Sequence, residues 1–252
     1  MIALPDRLRE PRPLLGTLVT LASSEVAEAL AICGIEWLFV DMEHSPALDP
    51  AAVQQIAQAV AGRCYTLVRV PVNDEAWIKK VLDSGADGVI VPHVRSGADA
   101  RRAVLAAKYP PLGGRSVGIA RAQQYGADFA GYLTRANDTT ALVLQIEEID
   151  AVQALDDILG TPGTDAVFIG PYDLSGSMGK LGQLSDPEVR AAIEEVLSGC
   201  KAAGMPLGIF AGTRQTARGE AERGINFIAI GTDLSLMVSA AKSAMAEIAA
   251  AP

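Results

Sequence analysis

The chain has 252 residues, half of them hydrophobic, enough for one large α/β domain with a sizeable core. Thirty acidic residues outnumber twenty-one basic ones, for a formal charge of −9, which argues against nucleic acid or an anionic membrane as partner, since both need a basic face. No apolar run nears the roughly 18 residues of a membrane span, Cys33, Cys64 and Cys200 form no CxxC, and "MIALPDRLREPRP" carries charge where a signal peptide needs an apolar segment, so the cytoplasm is the expected location.

Short apolar runs alternate with helical patterns throughout. The first strand is "LLGTLVT" (14–20). The second, "WLFVD" (37–41), runs straight into Asp41, Glu43 and His44. Asp49 and Pro50 then open a helix that Gly62 can end. The third strand, "TLVRV" (66–70), carries Arg69 inside an apolar run, and "DEAWIKKVLDSG" (74–85) reads as its return helix. "GVIVP" (88–92) is the fourth strand, with His93 just beyond it. About 48 residues, 93–140, separate it from the fifth, and they include the Pro/Gly-rich "YPPLGGRSVG" (109–118). Loops of that length are usually functional or disordered.

The fifth strand, "ALVLQIE" (141–147), ends in Gln145, Glu147 and Glu148, and "DAVQALDDILG" (150–160) reads as one helix. "AVFIG" (166–170) is followed by "GPYDLS" with Asp173 and Ser175. A long helix runs from Asp186 and Pro187 to Gly204, with Val189, Ile193, Val196, Leu197 and Cys200 as its apolar stripe. "PLGIF" (206–210) and "FIAIG" (227–231) complete eight strands, and an Ala-rich helical tail spans 240–251. Near-continuous apolarity suits strands covered on both faces. Eight such units, at about the length a barrel needs, predict a (β/α)8 TIM barrel, one domain over 1–252. The alternative is a doubly wound open sheet, weakened by the lack of GxGxxG after the first strand.

Barrel enzymes carry their chemistry at the C-terminal ends of strands. Four such ends here bear charge inside or beside apolar runs, and a buried charge persists only when paired or metal-bound. Gln145 and Glu147 are two apart and share a face. If that face is the interior, Glu147 meets Asp173 near the mouth, a hard-oxygen pair suited to Mg²⁺ or Mn²⁺. Arg69 is then free to meet substrate charge, and His44 to move a proton, with Asp41 or Glu43 fixing its tautomer. Each residue has a plainer reading. His44 could pack or cap, Arg69 could be a structural ion pair, and Gln145 with Glu147 could form a polar layer. Asp173 and Ser175 could be helix caps, His93 a structural histidine on the rim, and Arg115 a pin for its loop. Independent accidents should not all fall at one rim.

"DMEHSP", "VRVP", "YPPLGGRSVG", "LVLQIEEIDAV" and "VFIGPYDLSGSMG", in this order and spacing, resemble the HpcH/HpaI aldolase family, class II pyruvate aldolases that include hydroxy-heptenedioate and 2-keto-3-deoxy sugar acid aldolases; the resemblance covers about residues 12–240. It implies a divalent cation on Glu147 and Asp173, with Mg²⁺ or Mn²⁺ first and Co²⁺ or Zn²⁺ as alternatives. It implies His44 as the catalytic acid/base with Asp41 as partner, and Arg69 as the group that steadies the enolate. Gln145 would stand near the substrate, and the Gly170, Pro171, Tyr172 and Asp173 segment would hold the pyruvate carboxylate. Asp83 would come from a neighbouring subunit of a homo-hexamer, a trimer of dimers exchanging the last helix. Ser116, Val19 and Tyr172 depart from the family pattern and are expected to touch the acceptor side of the pocket.

The reading is a metal-dependent aldolase that cleaves 4-hydroxy-2-oxo acids to pyruvate, or a close 2-oxo acid, and an aldehyde. Its alternatives are a citrate-lyase-like or malyl-thioester lyase, and a non-catalytic 2-oxo-acid-binding barrel. None of the six lysines lies in an apolar strand, where a Schiff-base lysine is expected.

Overall fold

Every apolar run forms a strand in the computed structural model, which describes residues 1–249. The strands are β1 (Leu14–Val19), β2 (Trp37–Asp41), β3 (Tyr65–Arg69), β4 (Gly88–Val91), β5 (Ala141–Ile146), β6 (Ala166–Ile169), β7 (Leu207–Ala211) and β8 (Phe227–Thr232). All pair in parallel, in chain order, and β8 closes on β1. The helices are α1 (Leu4–Leu8), α2 (Ser24–Ile32), α3 (Pro50–Ala59), α4 (Glu75–Asp83), α5 (Gly97–Ala107), α6 (Phe129–Thr139), α7 (Ile149–Gln153), α8 (Leu155–Leu159), α9 (Pro171–Ser177), α10 (Pro187–Ala203), α11 (Arg214–Glu222) and α12 (Asp233–Ala249). The fold is a closed (β/α)8 barrel.

The helix ends follow the local chemistry. The Asp49 carboxylate accepts from the Ala52 amide at 2.8 Å and that of Asp186 from the Glu188 amide at 2.9 Å. Gly204 ends α10 in the left-handed region, at φ +63°. Three segments differ from expectation. Residues 150–160 form two helices, because the chain leaves helical geometry at Ala154 (ψ +17°). The 93–140 connection holds α5, α6 and 3-10 turns over Arg121–Gly126, so little of it is loop; α5 is capped by Ser96 and buries Ala100, Ala103 and Val104. The tail helix begins seven residues early, at Asp233, and residues 250–252 of the tail and of the expected domain lie outside the described residues.

Strand alternation sorts the side chains. One parity packs outward under the helices. The other faces the barrel interior, where Trp37, Phe39, Phe168 and Phe227 meet with ring centroids 5.2–6.3 Å apart. Gly208 makes room for them, since a Cβ there would lie 2.4 Å from the Phe227 ring. Leu4 and Leu8 of α1 join this plug from the N-terminal end.

At that same end a fourfold device ties the strands in pairs. The side chain just before each even strand accepts the amide of a residue near the start of the odd strand before it. Glu36 takes Leu15 (3.2 Å), Asp87 takes Thr66 (2.8 Å), Asp165 takes Leu142 (2.8 Å) and Asn226 takes Leu207 (3.1 Å). These amides would otherwise lack partners at the barrel's lower edge. Lys108, the one buried lysine among the described residues, sits at this end and donates to Asp165 (2.7 Å) and to the Asn137 and Thr140 carbonyls.

Candidate active site

The interior parity that places aromatic rings in the middle of the barrel places polar groups at its C-terminal mouth. Continuing Trp37 and Phe39 leads to Asp41; continuing Tyr65 and Leu67 leads to Arg69; continuing Ala141 and Val143 leads to Gln145, then Glu147. The β2–β3 register sets Asp41 opposite Arg69. The guanidinium accordingly grips the carboxylate with two hydrogen bonds, Nε to Oδ1 at 2.9 Å and Nη2 to Oδ2 at 2.8 Å, both side chains being buried. Burial pulls the Arg69 pKa down. The hydrogen bonds and charge of Asp41, backed by Glu43 and Glu147, outweigh it and hold the group above its usual value.

Asp41 is therefore committed elsewhere than the family resemblance implies. It meets His44 through the backbone, its Oδ1 accepting from the Glu43 amide (3.1 Å) and the His44 amide (3.4 Å). The carboxylate nearest the His44 ring is Glu43, with Oε2 3.9 Å from Nε2. Glu43 Oε2 also faces Arg69 Nη1 at 2.9 Å, outside hydrogen-bond geometry, and is buried. The His44 ring is two-thirds exposed and overlooks the mouth.

Gln145 and Glu147 share a face as their spacing requires, and Gln145 Nε2 donates to Glu147 Oε2. The other oxygen of Glu147 accepts from the His93 amide at 2.7 Å. Burial raises the Glu147 carboxyl above the usual carboxylate range, against the lowering effect of that amide and of the His93 charge. His93 is more deeply engaged than a rim position implies. Its ring Nε2 lies 3.0 Å from Glu43 Oε1, and Nδ1 lies 3.2 Å from Glu148 Oε1 and 3.3 Å from Glu147 Oε1.

In front of these groups lies a cavity of about 140 Å³ lined by His44, Arg69, Gln145, Gly170, Pro171, Tyr172 and Asp173, with Leu18, Phe39, Phe168 and Phe210 as its apolar wall. Glu147 stands behind Gly170, where a Cβ would lie 3.0 Å from the Glu147 Cβ and 3.4 Å from its Oε2. A side chain there would crowd the carboxylate and the cavity. The apolar wall escapes motif reading; its signal is the interior parity of β1, β2, β6 and β7.

The donor set fits a hard divalent cation. Asp41, Glu43 and Glu147 are buried or nearly so, against one buried cation, Arg69, so negative charge is in excess. Gln145 Oε1 is buried without a partner. Asp173 adds a fourth carboxylate, exposed on the cavity wall. No group of three or more His, Cys, Asp or Glu with metal-holding geometry exists among the described residues, so a cation held by Glu147 and Asp173 would complete its shell with water and substrate.

Other candidates fall elsewhere. Asp83 ends α4 and accepts from Arg115 Nη2 at 2.6 Å; it does not line this cavity. Arg115 stacks on Tyr109, 4.7 Å from the ring centroid, so it does pin its loop. Of the three departures, only Tyr172 lines the cavity. Val19 is fully buried in the outer core, its neighbour Leu18 taking the interior side, and the Ser116 hydroxyl meets Lys79 at 3.0 Å.

Residues 15–240 match the HpcH/HpaI aldolase/citrate lyase family. Two similar proteins are a hydroxypyruvate/pyruvate aldolase of Sagittula stellata, 43% identical over 242 residues with 95% of each chain covered, and a 2-dehydro-3,6-dideoxy-6-sulfogluconate aldolase of Pseudomonas putida, 41% identical with 92% of this chain and 91% of that protein covered. Among solved structures, an HpcH/HpaI aldolase/citrate lyase family protein from Burkholderia cenocepacia superposes with a TM-score of 0.93 at 36% identity, covering 98% of this chain and 99% of that one.

Proposed function

The chain belongs to the HpcH/HpaI aldolase/citrate lyase family and is a carbon–carbon lyase, and from that premise we propose that it is a divalent-metal-dependent aldolase, reversibly cleaving 4-hydroxy-2-oxo acids to pyruvate, or a close 2-oxo acid, and an aldehyde. The observation that carries this reading is the excess of buried carboxylate around one guanidinium at the mouth of a small, half-apolar cavity. The aldolase relatives, matched over nearly their whole length, leave no place for the binding-only alternative.

Glu147 and Asp173 would hold the cation, Mg²⁺ or Mn²⁺ by the hardness of their oxygens, with Co²⁺ or Zn²⁺ as substitutes. When bound, a divalent cation supplies Lewis-acid polarisation of the 2-oxo group. Gln145 lines the cavity beside Glu147 and stands near the substrate. The amides of Tyr172 and Asp173, at the start of α9 behind Gly170 and Pro171, receive the substrate carboxylate. Arg69, its fork fixed by Asp41, meets the charge that develops on the 2-oxo oxygen as the C–C bond breaks. His44 takes the proton from the C4 hydroxyl as the C3–C4 bond breaks, that proton passes to C3 of the enolate to give the 2-oxo acid, and addition runs the same transfers in reverse. Asp41 acts on His44 through its backbone, setting where the loop after β2 stands. Leu18, Phe210 and Tyr172 face the aldehyde.

Asp83 serves the site of a neighbouring subunit in a homo-hexamer, a trimer of dimers that exchange α12. The exposed Leu234, Met237, Val238, Met245 and Ile248 on that helix support the exchange. The three free cysteines suit the cytoplasm, and among the described residues no helix is long and apolar enough to cross a membrane.

Dialysis against EDTA tests the reading. Condensation of pyruvate with a panel of aldehydes should vanish and return with Mn²⁺ or Mg²⁺. Full activity in chelator, together with borohydride trapping of an imine, would point to a lysine enzyme instead.

A further inference from the structure

Glu43 lies in the segment after β2, where no strand pairing fixes it, yet it stands between the two groups assigned to charge and proton handling. Its Oε2 is 2.9 Å from Arg69 Nη1 and 3.9 Å from His44 Nε2, and that oxygen is buried without a hydrogen bond. Asp41 occupies the other two nitrogens of Arg69, so Nη1 is the one left to substrate and to Glu43. The tie that holds Glu43 comes from across the mouth. His93, two residues beyond β4, sets its ring Nε2 3.0 Å from Glu43 Oε1 while Nδ1 lies 3.2 Å from Glu148 Oε1. Glu148 is in turn held by Arg95 Nε at 2.6 Å. The ring thus spans the ends of β2 and β5 from the end of β4.

The backbone of His93 does a separate job. Its φ of +55° lies in the left-handed region, uncommon outside glycine, and aims its N–H at Glu147 Oε1 at 2.7 Å. One residue therefore supports the carboxylate of Glu147 with its main chain, while its ring ties Glu43 and also lies 3.3 Å from Glu147 Oε1.

We propose that His93 is a positioning residue whose ring holds Glu43 in place, so that one carboxylate oxygen faces both Arg69 and His44. This rests on the roles given to Arg69 and His44 above. Asp41 cannot serve in its place, because its oxygens are spent on Arg69 and on backbone amides.

The two jobs separate experimentally. Glycine tolerates the left-handed backbone and keeps the N–H, so His93→Gly removes only the ring. Asparagine also tolerates that region but is too short to reach Glu43, so His93→Asn is the second variant. The chain has two histidines, so in either variant the remaining ring signal is that of His44. The expected result in the full-length protein has three parts. The His44 ring resonances move in the metal-free variants. Mn²⁺ affinity stays within about threefold of wild type, as the main-chain hydrogen bond to Glu147 is kept. At saturating Mn²⁺, kcat falls roughly tenfold to a hundredfold with KM little changed, and added imidazole restores part of it in His93→Gly. Unmoved His44 resonances in both variants overturn the proposal. So does a loss of Mn²⁺ affinity with unchanged kcat at saturation, which would assign His93 to Glu147 alone. An inactive wild type would sink the aldolase reading, and the resonance result would still decide the placement of Glu43.

Discussion

Arg69 shows how one residue can be both structural and chemical. Its bidentate hold on Asp41 ties β2 to β3, and the same hold pre-aims the guanidinium at the cavity. A buried pair of this kind is costly to break, since removing one partner strands the other charge. Arg69→Lys keeps the charge and loses the fork. The expected outcome is a fall in kcat of roughly a hundredfold or more, with about 1–3 kcal/mol lost from stability because Asp41 is left short of a buried donor. Steady-state kinetics and urea unfolding check both; wild-type kcat in this variant would remove the fork from the chemistry. At this scale the sequence reading expected Asp41, Arg69, Gln145 and His44 at one rim, and the structure sets all four at the mouth of the barrel. The residues left Asp41 or Glu43 open as the partner of His44, and the family resemblance implied Asp41. The structure instead spends Asp41 on Arg69, a residue 28 positions away, which only strand register could reveal.

At the level of elements, the four ties at the N-terminal end explain why an acidic residue or asparagine precedes each even strand. Three of the four are carboxylates, and one of these carries a penalty. Burial pushes the Asp87 carboxyl up to about 6, against the lowering effects of the Thr66 amide and Arg121. Because the folded pKa exceeds the unfolded one, the folded state binds the extra proton. The stabilising effect of that proton is complete below about pH 4 and is lost as pH rises through about 6. Asn226 fills the equivalent place before β8, so an amide can make the same contact. Asp87→Asn should therefore raise stability at pH 7.5, on the order of 1–3 kcal/mol after allowing for solvent screening of a partly exposed group, and flatten the slope between pH 4 and 6. Urea denaturation at pH 4 and 7.5 measures this; an unchanged slope would mean that Asp87 titrates normally. The strands and most helix caps were legible in the chain because alternation and capping are local. The break at Ala154 and the helices inside 93–140 were not, since packing against neighbours decides where such segments stop.

For the molecule as a whole, α12 is the element that a single barrel leaves unexplained. Its root is secured, with the Asp233 carboxylate accepting from the Thr20 and Leu21 amides, both at 2.9 Å. Beyond it the helix exposes leucine, methionine, valine and isoleucine side chains that gain by burial. Truncation after Ser235 keeps the clamp and removes that surface, and should lower both the solution mass by light scattering and the unfolding temperature. An unchanged mass would show that the helix takes no part in assembly. Order along the chain was enough for the barrel, because eight alternating apolar runs have few ways to cover both faces of a parallel sheet. It was enough, too, to gather carboxylates, an arginine and a histidine at one mouth, since a period of two carries each strand's inward face to its end. Which carboxylate serves which cation was decided only by tertiary structure. Those partners come from different strands, and their pairing depends on register, on one left-handed residue after β4 and on how many donors each buried oxygen already holds, none of which is a local property of the chain.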